Sequence, residues 1–366
     1  MHHRIPQLDA IRGLAIVLVI LHNTTAGYPS LPHLFASGWM GVDLFFVLSG
    51  FLITGILVDT KRTDGYLTNF YARRCLRIWP LYYALIVFMF IVVPLVHPSG
   101  RQPIFERSSP WWAYPLFLQN MLVPSPTMAT GLLAVTWSLA IEEQFYLVWP
   151  WVVRYCSTAQ LGRLAVAVIV LSPVLRYWLD RRGVDLHHNT FCRLDALMAG
   201  ALLAVTVRSE TFRPSRYVWA AAVSLIVAAS LALATEALEL WWIVFSLTAV
   251  ASAALVYLAL FCRHRWLQAP LSTRFLIYTG TISYGLYLLH KIPVDLAKAL
   301  HVDGAPVALP VVLVASYAMA ALSWHWFERP LLGLKRFFEP GPLCPQGVPR
   351  HVILVSPGTE TRKGER

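Results

Sequence analysis

Long apolar segments recur along almost the whole chain, and they constrain its fold more than any other feature. Between Leu8 and Trp326 no polar stretch is long enough to fold as a separate soluble domain. A helix needs about 20 mostly apolar residues to cross a bilayer. Charged residues make up only 13% of the chain, about half the usual fraction in soluble domains. We therefore predict an all-α, polytopic membrane protein with about ten transmembrane helices. The predicted spans are 8–27, 38–58, 78–97, 137–155, 162–179, 191–207, 217–234, 241–261, 276–293 and 306–328.

Two segments differ from these spans in length or composition. Residues 111–122 are apolar but too short to cross a bilayer, so we predict an interfacial or re-entrant piece. Residues 338–366 are rich in proline, glycine and charge, which is typical of disorder. We predict one transmembrane domain over 1–337 and a disordered cytoplasmic tail over 338–366.

Lysine and arginine are unevenly divided between the two sets of loops that the spans define. The set that includes both chain ends holds more than twice as many as the other set. Because cytoplasmic loops carry an excess of basic residues, we predict a protein of the cell membrane with both termini cytoplasmic. The net charge of +11 has the same explanation, so we predict membrane lipid and no nucleic acid as partners. The five scattered cysteines lack zinc-site spacing, and we predict no metal.

Ionisable residues at the predicted cytoplasmic ends of three spans form a first layer. Asp9 and Arg12 are three residues apart, and so are Arg74 and Arg77, which places each pair on one helix face. Glu328, at the predicted cytoplasmic end of the last span, completes this layer. Paired guanidinium groups near the free N–H groups of a helix start suit phosphate oxygens. Two structural explanations stay open: the arginines could anchor a loop, and Asp9 with Arg12 could be a structural ion pair.

A second layer of titratable residues is predicted toward the outer face. His22 lies 14 residues after Leu8, about 21 Å along a helix. A lone membrane histidine is more often a hydrogen-bonding group between helices, and this alternative stays open. A histidine level with carboxylates of other helices is a better candidate for a general base, because a carboxylate can orient the imidazole. The layer consists of His22, Asp43, Glu142, Glu143, Arg193, Asp195 and His290.

Seven sequence stretches, in order across residues 8–330, resemble the membrane-bound acyltransferase 3 family. The two longest, in the second and fourth predicted spans, are the most specific. The stretches are LDAIRGLA at 8–15, GWMGVDLFFVLSGFLI at 38–53, RRCLRIWPLY at 73–82, TWSLAIEEQFYLVWP at 136–150, FCRLDALMAG at 191–200, ISYGLYLLH at 282–290 and FERP at 327–330.

The resemblance implies roles for particular residues. Members of this family acylate sugars of polysaccharides, peptidoglycan, glycolipids and glycosylated metabolites, usually with acetyl-CoA as donor. Arg12, Arg74 and Arg77 match the family's essential cytoplasmic arginines, His22 its essential histidine and Glu142 its conserved acid. Some members carry an additional hydrolase-like domain, and the short tail here suggests a stand-alone form.

We therefore predict a membrane-embedded O-acyltransferase that moves an acyl group from cytoplasmic acyl-CoA to a hydroxyl of a sugar-containing acceptor. His22 could act directly as general base, which we favour, or could first take the acyl group itself. The alternative is a non-enzymatic glycolipid or polysaccharide flippase or exporter. The predicted catalytic residues are His22, Glu142 and Asp43; the predicted acyl-CoA-binding residues are Arg12, Arg74 and Arg77; the predicted substrate-binding residues are Asp9, Arg193, Asp195, His290 and Glu328.

Overall fold

A computed structural model describes residues 5–25, 33–96, 109–122, 131–300, 302 and 305–338. The tail predicted from residue 338 lies outside this described part from 339 onward. Within the described part the chain forms helices and turns and no strand. The helices are α1 Pro6–Thr25, α2 Met40–Thr60, α3 Tyr66–Val87, α4 Val93–Val96, α5 Thr136–Tyr155, α6 Thr158–Asp180, α7 Thr190–Thr206, α8 Val218–Ala237, α9 Trp241–Phe261, α10 Arg265–Leu271, α11 Arg274–Thr281, α12 Ser283–Leu289, α13 Lys291–Ala299, α14 Ala305–Ser323 and α15 Arg329–Leu332.

The all-α membrane fold is confirmed, but the number of ten spans is not. Seven helices of the described part are long and apolar enough to cross a membrane. Helix α5 holds two glutamates and an arginine, and α7 has only 17 residues. The predicted span 276–293 is divided into α11, α12 and α13, with breaks at Ile282 and His290.

Helix α3 begins earlier than predicted, and this changes the interpretation of its arginines. Gly65, with a φ of 69°, precedes the helix, and Tyr66 and Phe70 bury one face of its first turns. Arg74 lies eight residues after Tyr66, about 12 Å along the helix. The prediction that Arg74 and Arg77 sit beside the free N–H groups of a helix start is therefore wrong. A π turn over Phe88–Val92 joins α3 to α4.

The segment predicted as an interfacial or re-entrant piece forms two short 3-10 turns, Trp111–Ala113 and Gln119–Met121, and no spanning helix. Its backbone is fixed by side chains of α3 and α5. Tyr82 donates a hydrogen bond to the carbonyl oxygen of Tyr114, and Gln144 donates one to that of Phe117.

Helices α2 and α7 pack closely against each other. A Cβ atom at Gly50 would lie 1.9 Å from the carbonyl oxygen of Leu197, and one at Gly200 would lie 2.0 Å from that of Val47. No larger residue fits at either position, and small residues are the usual means of close approach between membrane helices. Helices α6 and α8 lie at the periphery, with exposed apolar side chains such as Val174 and Ile226. Such an apolar surface suits contact with lipid.

Candidate active site

Helices α1, α2, α3, α5 and α12 enclose a cavity of about 100 Å³, enough for several water molecules. Apolar side chains of α2, among them Phe45, Phe46 and Leu52, form one wall. The polar lining consists of Arg12, Ser49, Arg74, Arg77, Ser138, Glu142, Tyr146, Ser283, Tyr284 and Tyr287. The cavity therefore joins the three predicted arginines to a predicted catalytic acid.

The three arginines define what we call the arginine end of the cavity. Arg12 forms an ion pair with Asp9, with 3.2 Å between Nη1 and Oδ1. The guanidinium of Arg74 lies 5.7 Å from the ring centroid of Tyr146. In the described part, no carboxylate lies within ion-pair distance of Arg74 or Arg77. Several cations thus share one cavity with few anions, which favours an anionic ligand.

Lys335 is a further basic side chain near this end, although it does not line the cavity. It lies in the 3-10 turn after α15, and the charges of Arg77, Arg74 and Arg12 all act on its ammonium group. From the sequence alone, nothing distinguishes Lys335 from the other basic residues whose distribution predicts the orientation of the chain in the membrane.

Glu142 lies in the cavity wall and not beside His22, as had been predicted. The Tyr146 hydroxyl donates a hydrogen bond of 3.2 Å to Glu142 Oε2 and also contacts the Ser49 hydroxyl. The charge of Arg74 acts on the Glu142 carboxylate. The Glu142 carboxylate thus lies at the depth of the arginine end, whereas its position along α5 had predicted the depth of His22.

Ser138 and Tyr287 line the cavity farther from the arginines, and their hydroxyl groups contact each other. Tyr287 also donates a hydrogen bond of 3.0 Å to the carbonyl oxygen of Val135. Ser49 and Ser138 both line the cavity. Each pairs with a tyrosine rather than a base, so neither has the partner of an activated nucleophile.

His22 lies just beyond the opposite end of the cavity, which we call the histidine end. Val42 lines the cavity, and Gly38 precedes it by four residues, about 6 Å of helix. A Cβ atom at Gly38 would lie 2.9 Å from the Cβ of His22. His22 therefore stands about one helical turn past the cavity and does not line it. Its Nδ1 is buried and has no hydrogen-bond partner among the described residues.

Asp43, Arg193 and Asp195 belong to a buried ion network outside the cavity. Arg193 Nη2 lies 2.6 Å from Asp43 Oδ1, and the Thr248 hydroxyl donates to the other Asp43 oxygen at 2.6 Å. Arg176 Nη2 lies 2.9 Å from Asp195 Oδ2. These four charged side chains are about 1% exposed or less and none lines the cavity. A buried charge needs such a partner, and the predicted contact of Asp43 with His22 is not found. The substrate-binding roles of Arg193 and Asp195 stay predictions, and Arg193 Nε and Nη1 have no hydrogen-bond partner among the described residues.

His290 is fully buried at the junction of α12 and α13. Its ring lies behind Tyr287, with 6.0 Å between the centroids, and its Nδ1 contacts the carbonyl oxygen of Tyr287 at 2.8 Å. His290 does not line the cavity, and its substrate-binding role stays a prediction.

Glu328 lies in the π turn that follows α14. It is buried and accepts a hydrogen bond of 2.9 Å from the Ser323 hydroxyl. The positive charge of Arg77 also acts on its carboxylate. This agrees with its predicted place in the first layer, although it does not line the cavity.

The loop between α6 and α7 holds two further histidines near the histidine end. The His187 ring lies 6.2 Å from that of Trp39, and His188 Nδ1 lies 2.5 Å from Asp185 Oδ2. Burial among aromatic rings and the charge of Arg193 lower the pKa of His187 well below its usual value, so this ring is neutral at pH 7. Partial burial alone would raise the pKa of Asp185, but the bond from His188 lowers it to about 2.

Comparison with known proteins agrees with this geometry. The family model described as "Acyltransferase domain" matches residues 5–325. The chain belongs to the acyltransferase 3 family. It is 30% identical to the protein YrhL of Bacillus subtilis (strain 168), over 90% of this chain and 55% of that protein. It is 28% identical to the peptidoglycan O-acetyltransferase OatA of Listeria monocytogenes, over 89% of this chain and 56% of the relative. It is 25% identical to the O-acetyltransferase OatA of Staphylococcus aureus, over 91% of this chain and 58% of the relative.

The chain thus spans less than two thirds of the length of these relatives. No solved structure matches it significantly.

Sequence reasoning missed several residues of this acyltransferase domain. Arg176 falls inside the predicted span 162–179, and a charge at that position was a usable signal of burial. The sequence does not distinguish Tyr146 and Tyr287 as cavity residues, because aromatic residues are frequent throughout the chain. Glu236, at the end of α8, binds the segment beside His22 from almost 200 residues away.

Proposed function

We propose that this acyltransferase domain is a membrane-embedded O-acyltransferase. It moves an acyl group, in the first instance acetyl, from acyl-CoA to a hydroxyl of a sugar-containing acceptor. One observation carries the proposal: a single cavity extends from three arginines to within about one helical turn of His22. The family and the names of the O-acetyltransferase relatives support the same chemistry.

The arginine end would bind the phosphate groups of the donor. A guanidinium group offers a planar fork that fits two phosphate oxygens at once, and Arg74 and Arg77 lack carboxylate partners within ion-pair distance in the described part. The apolar wall formed by Phe45, Phe46 and Leu52 suits the less polar arm that carries the thioester. This arrangement directs the thioester toward the histidine end.

At that end, His22 would take the proton of the acceptor hydroxyl. The hydroxyl oxygen forms the new ester bond, the carbon–sulfur bond breaks, and the proton passes from His22 to the leaving thiolate. A positioned base of this kind typically contributes a factor of about 10² to 10⁴ in rate. Glu142 stays a predicted catalytic residue, but it would act within the cavity and not by orienting His22.

The acceptor class rests on the relatives. The Listeria monocytogenes relative is named a peptidoglycan O-acetyltransferase, so we propose a sugar hydroxyl of a cell-envelope polymer or of its lipid-linked precursor. A flippase or exporter would use the same cavity without consuming a thioester, and the assay with Arg77 variants below separates the two classes.

We further propose that the arginine end faces the cytoplasm of a cell membrane, since acyl-CoA is made there. Residue 182, in the loop between α6 and α7, should then be outside, and Cys344 should be inside. We expect a membrane-impermeant maleimide to label an Arg182→Cys variant on intact cells and to leave the parent chain unlabelled. Permeabilised cells are the control, because Cys344 should react there. Labelling of the parent on intact cells, with Arg182→Cys adding nothing, would reverse both the orientation and the donor side.

The proposed donor site predicts a loss of acyl-CoA affinity on mutation of Arg77. Replacing Arg77 by alanine should weaken binding by about 1.5–3 kcal/mol, as for a hydrogen bond to a charged group, which is about 10- to 150-fold in Kd. Arg77→Lys should recover only part of this loss, because lysine lacks the fork. Binding of labelled acetyl-CoA to purified protein, followed by transfer to a soluble sugar acceptor, provides both measurements.

Arg73→Ala is the matched control for this prediction. It removes the same charge from the same helix, but Arg73 does not line the cavity, so its effect should be clearly smaller. Normal binding by the Arg77→Lys variant would show that charge alone suffices. Failure of the parent protein to bind or consume acetyl-CoA would count against the enzyme and favour the flippase or exporter.

A further inference from the structure

His22 needs an orienting group, and the carboxylates predicted for that task are engaged elsewhere. Asp43 is held by Arg193 and Thr248, and Glu142 lies in the cavity wall. A histidine that acts as a base must hold its ring in one orientation relative to the reacting hydroxyl. The contacts of the His22 ring itself therefore show what could fix it.

The 3-10 segment that leads into α2 packs against His22. Residues His33–Trp39 form a 3-10 helix that packs along α1, the helix that carries His22. Gly38 approaches the Cβ of His22 so closely that an added methyl group would lie 2.9 Å away. The position of residues 35–38 therefore determines the space in which the imidazole can turn.

Glu236 fixes this segment from the opposite side. The Ser37 hydroxyl donates to Glu236 Oε2 at 2.7 Å, and the Trp39 indole Nε1 donates to Glu236 Oε1 at 2.7 Å. Both carboxylate oxygens are thus bound to the two ends of a three-residue stretch. The carboxylate is half-buried, and its charge also acts on His22.

We propose that Glu236 is a positioning residue for His22. It acts through Ser37 and Trp39, which hold residues 35–38 against His22. This inference rests on the proposed function, because it assigns the orientation of the proposed base. It differs from the sequence prediction, in which Asp43 or Glu142 had that task.

The test compares three variants with the parent enzyme. Glu236→Ala removes both hydrogen bonds, and a shift of about 1 Å in a catalytic group can lower the rate by about 100-fold. We expect kcat to fall by that order while the Kd for acetyl-CoA is unchanged, because Glu236 does not line the cavity. Glu236→Gln should keep most of kcat. Its amide oxygen can accept from Trp39, and its amide nitrogen can donate to the Ser37 hydroxyl oxygen.

Glu239→Gln is the matched control. It removes one negative charge three residues away on the same end of α8, and Glu239 is exposed, so we expect parental kcat. A well-folded Glu236→Ala enzyme with parental kcat would overturn the proposal. So would a Glu236→Gln enzyme as slow as Glu236→Ala, because the charge and not the geometry would then matter.

A second measurement does not depend on transfer activity. Carbethoxylation of His22 by diethylpyrocarbonate can be followed by mass spectrometry of the peptide that contains it. We expect Glu236→Ala to change the modification rate of His22 several-fold, and Glu236→Gln and Glu239→Gln to leave it unchanged. Equal rates in all four proteins would overturn the positioning role. A changed rate in a protein whose parent transfers nothing would support the positioning role and reject the proposed function.

Discussion

Replacing His22 by alanine should lower acyl transfer by about 10²- to 10⁴-fold, the usual contribution of a positioned general base. Acyl-CoA binding should change by no more than about twofold, as for distant independent sites, because His22 lies beyond the cavity. His22→Gln, which keeps a hydrogen-bonding side chain of similar reach, should be equally inactive, since an amide cannot take the proton. Transfer rate, Kd for acetyl-CoA and folded yield should be measured on both variants.

A structural histidine gives the opposite pattern. Its glutamine variant would keep much of the activity, and its alanine variant would fail through loss of folded protein. A well-folded and active His22→Gln enzyme would therefore remove His22 from the mechanism.

The second large effect concerns stability. Arg193→Ala should destabilise the protein by about 3–5 kcal/mol, because it leaves the buried Asp43 carboxylate without its cation. The double variant Asp43→Leu with Arg193→Met should recover much of this loss, since apolar residues often replace a buried ion pair at little net change in stability. Thermal unfolding in one detergent would give the comparison.

The pair between Arg208 and Asp59 is a suitable control. It joins α2 to the turn that follows α7, with 2.7 Å between the groups and side chains about one-fifth exposed. Breaking this more exposed pair should have a clearly smaller effect, because pairs in contact with solvent contribute about 1 kcal/mol or less. A folded Arg193→Ala protein of parental stability, with weaker acceptor binding, would support the prediction that Arg193 contacts substrate.

The sequence predicted those features that depend on neighbours along the chain. Apolar runs identified the helices, and the three-residue spacing of Arg74 and Arg77 indicated that both face one way, as the shared cavity confirms. Depth along a helix was harder to predict from its rise per residue. That estimate placed Glu142 level with His22, whereas its carboxylate lies within reach of the charge of Arg74.

Contacts between distant parts of the chain could not be predicted from one sequence. Ser37 and Glu236 are 199 residues apart, and neither has a neighbour that signals the pairing. The early start of α3 was missed for a different reason. Its first turns, between Tyr66 and Ile78, carry polar and basic residues. Because the spans were predicted from apolar runs, this stretch was assigned to a loop.

The buried Asp43–Arg193 pair also bears on how the chain is made. The two residues are 150 positions apart, and synthesis at about 5–20 residues per second separates their appearance by about 8–30 seconds. During that interval α2 carries an isolated carboxylate that costs several kcal/mol in hydrocarbon. We therefore expect α2 to stay at the translocation channel or at the lipid headgroups until α7 emerges, so that the two helices enter the bilayer as a neutral pair.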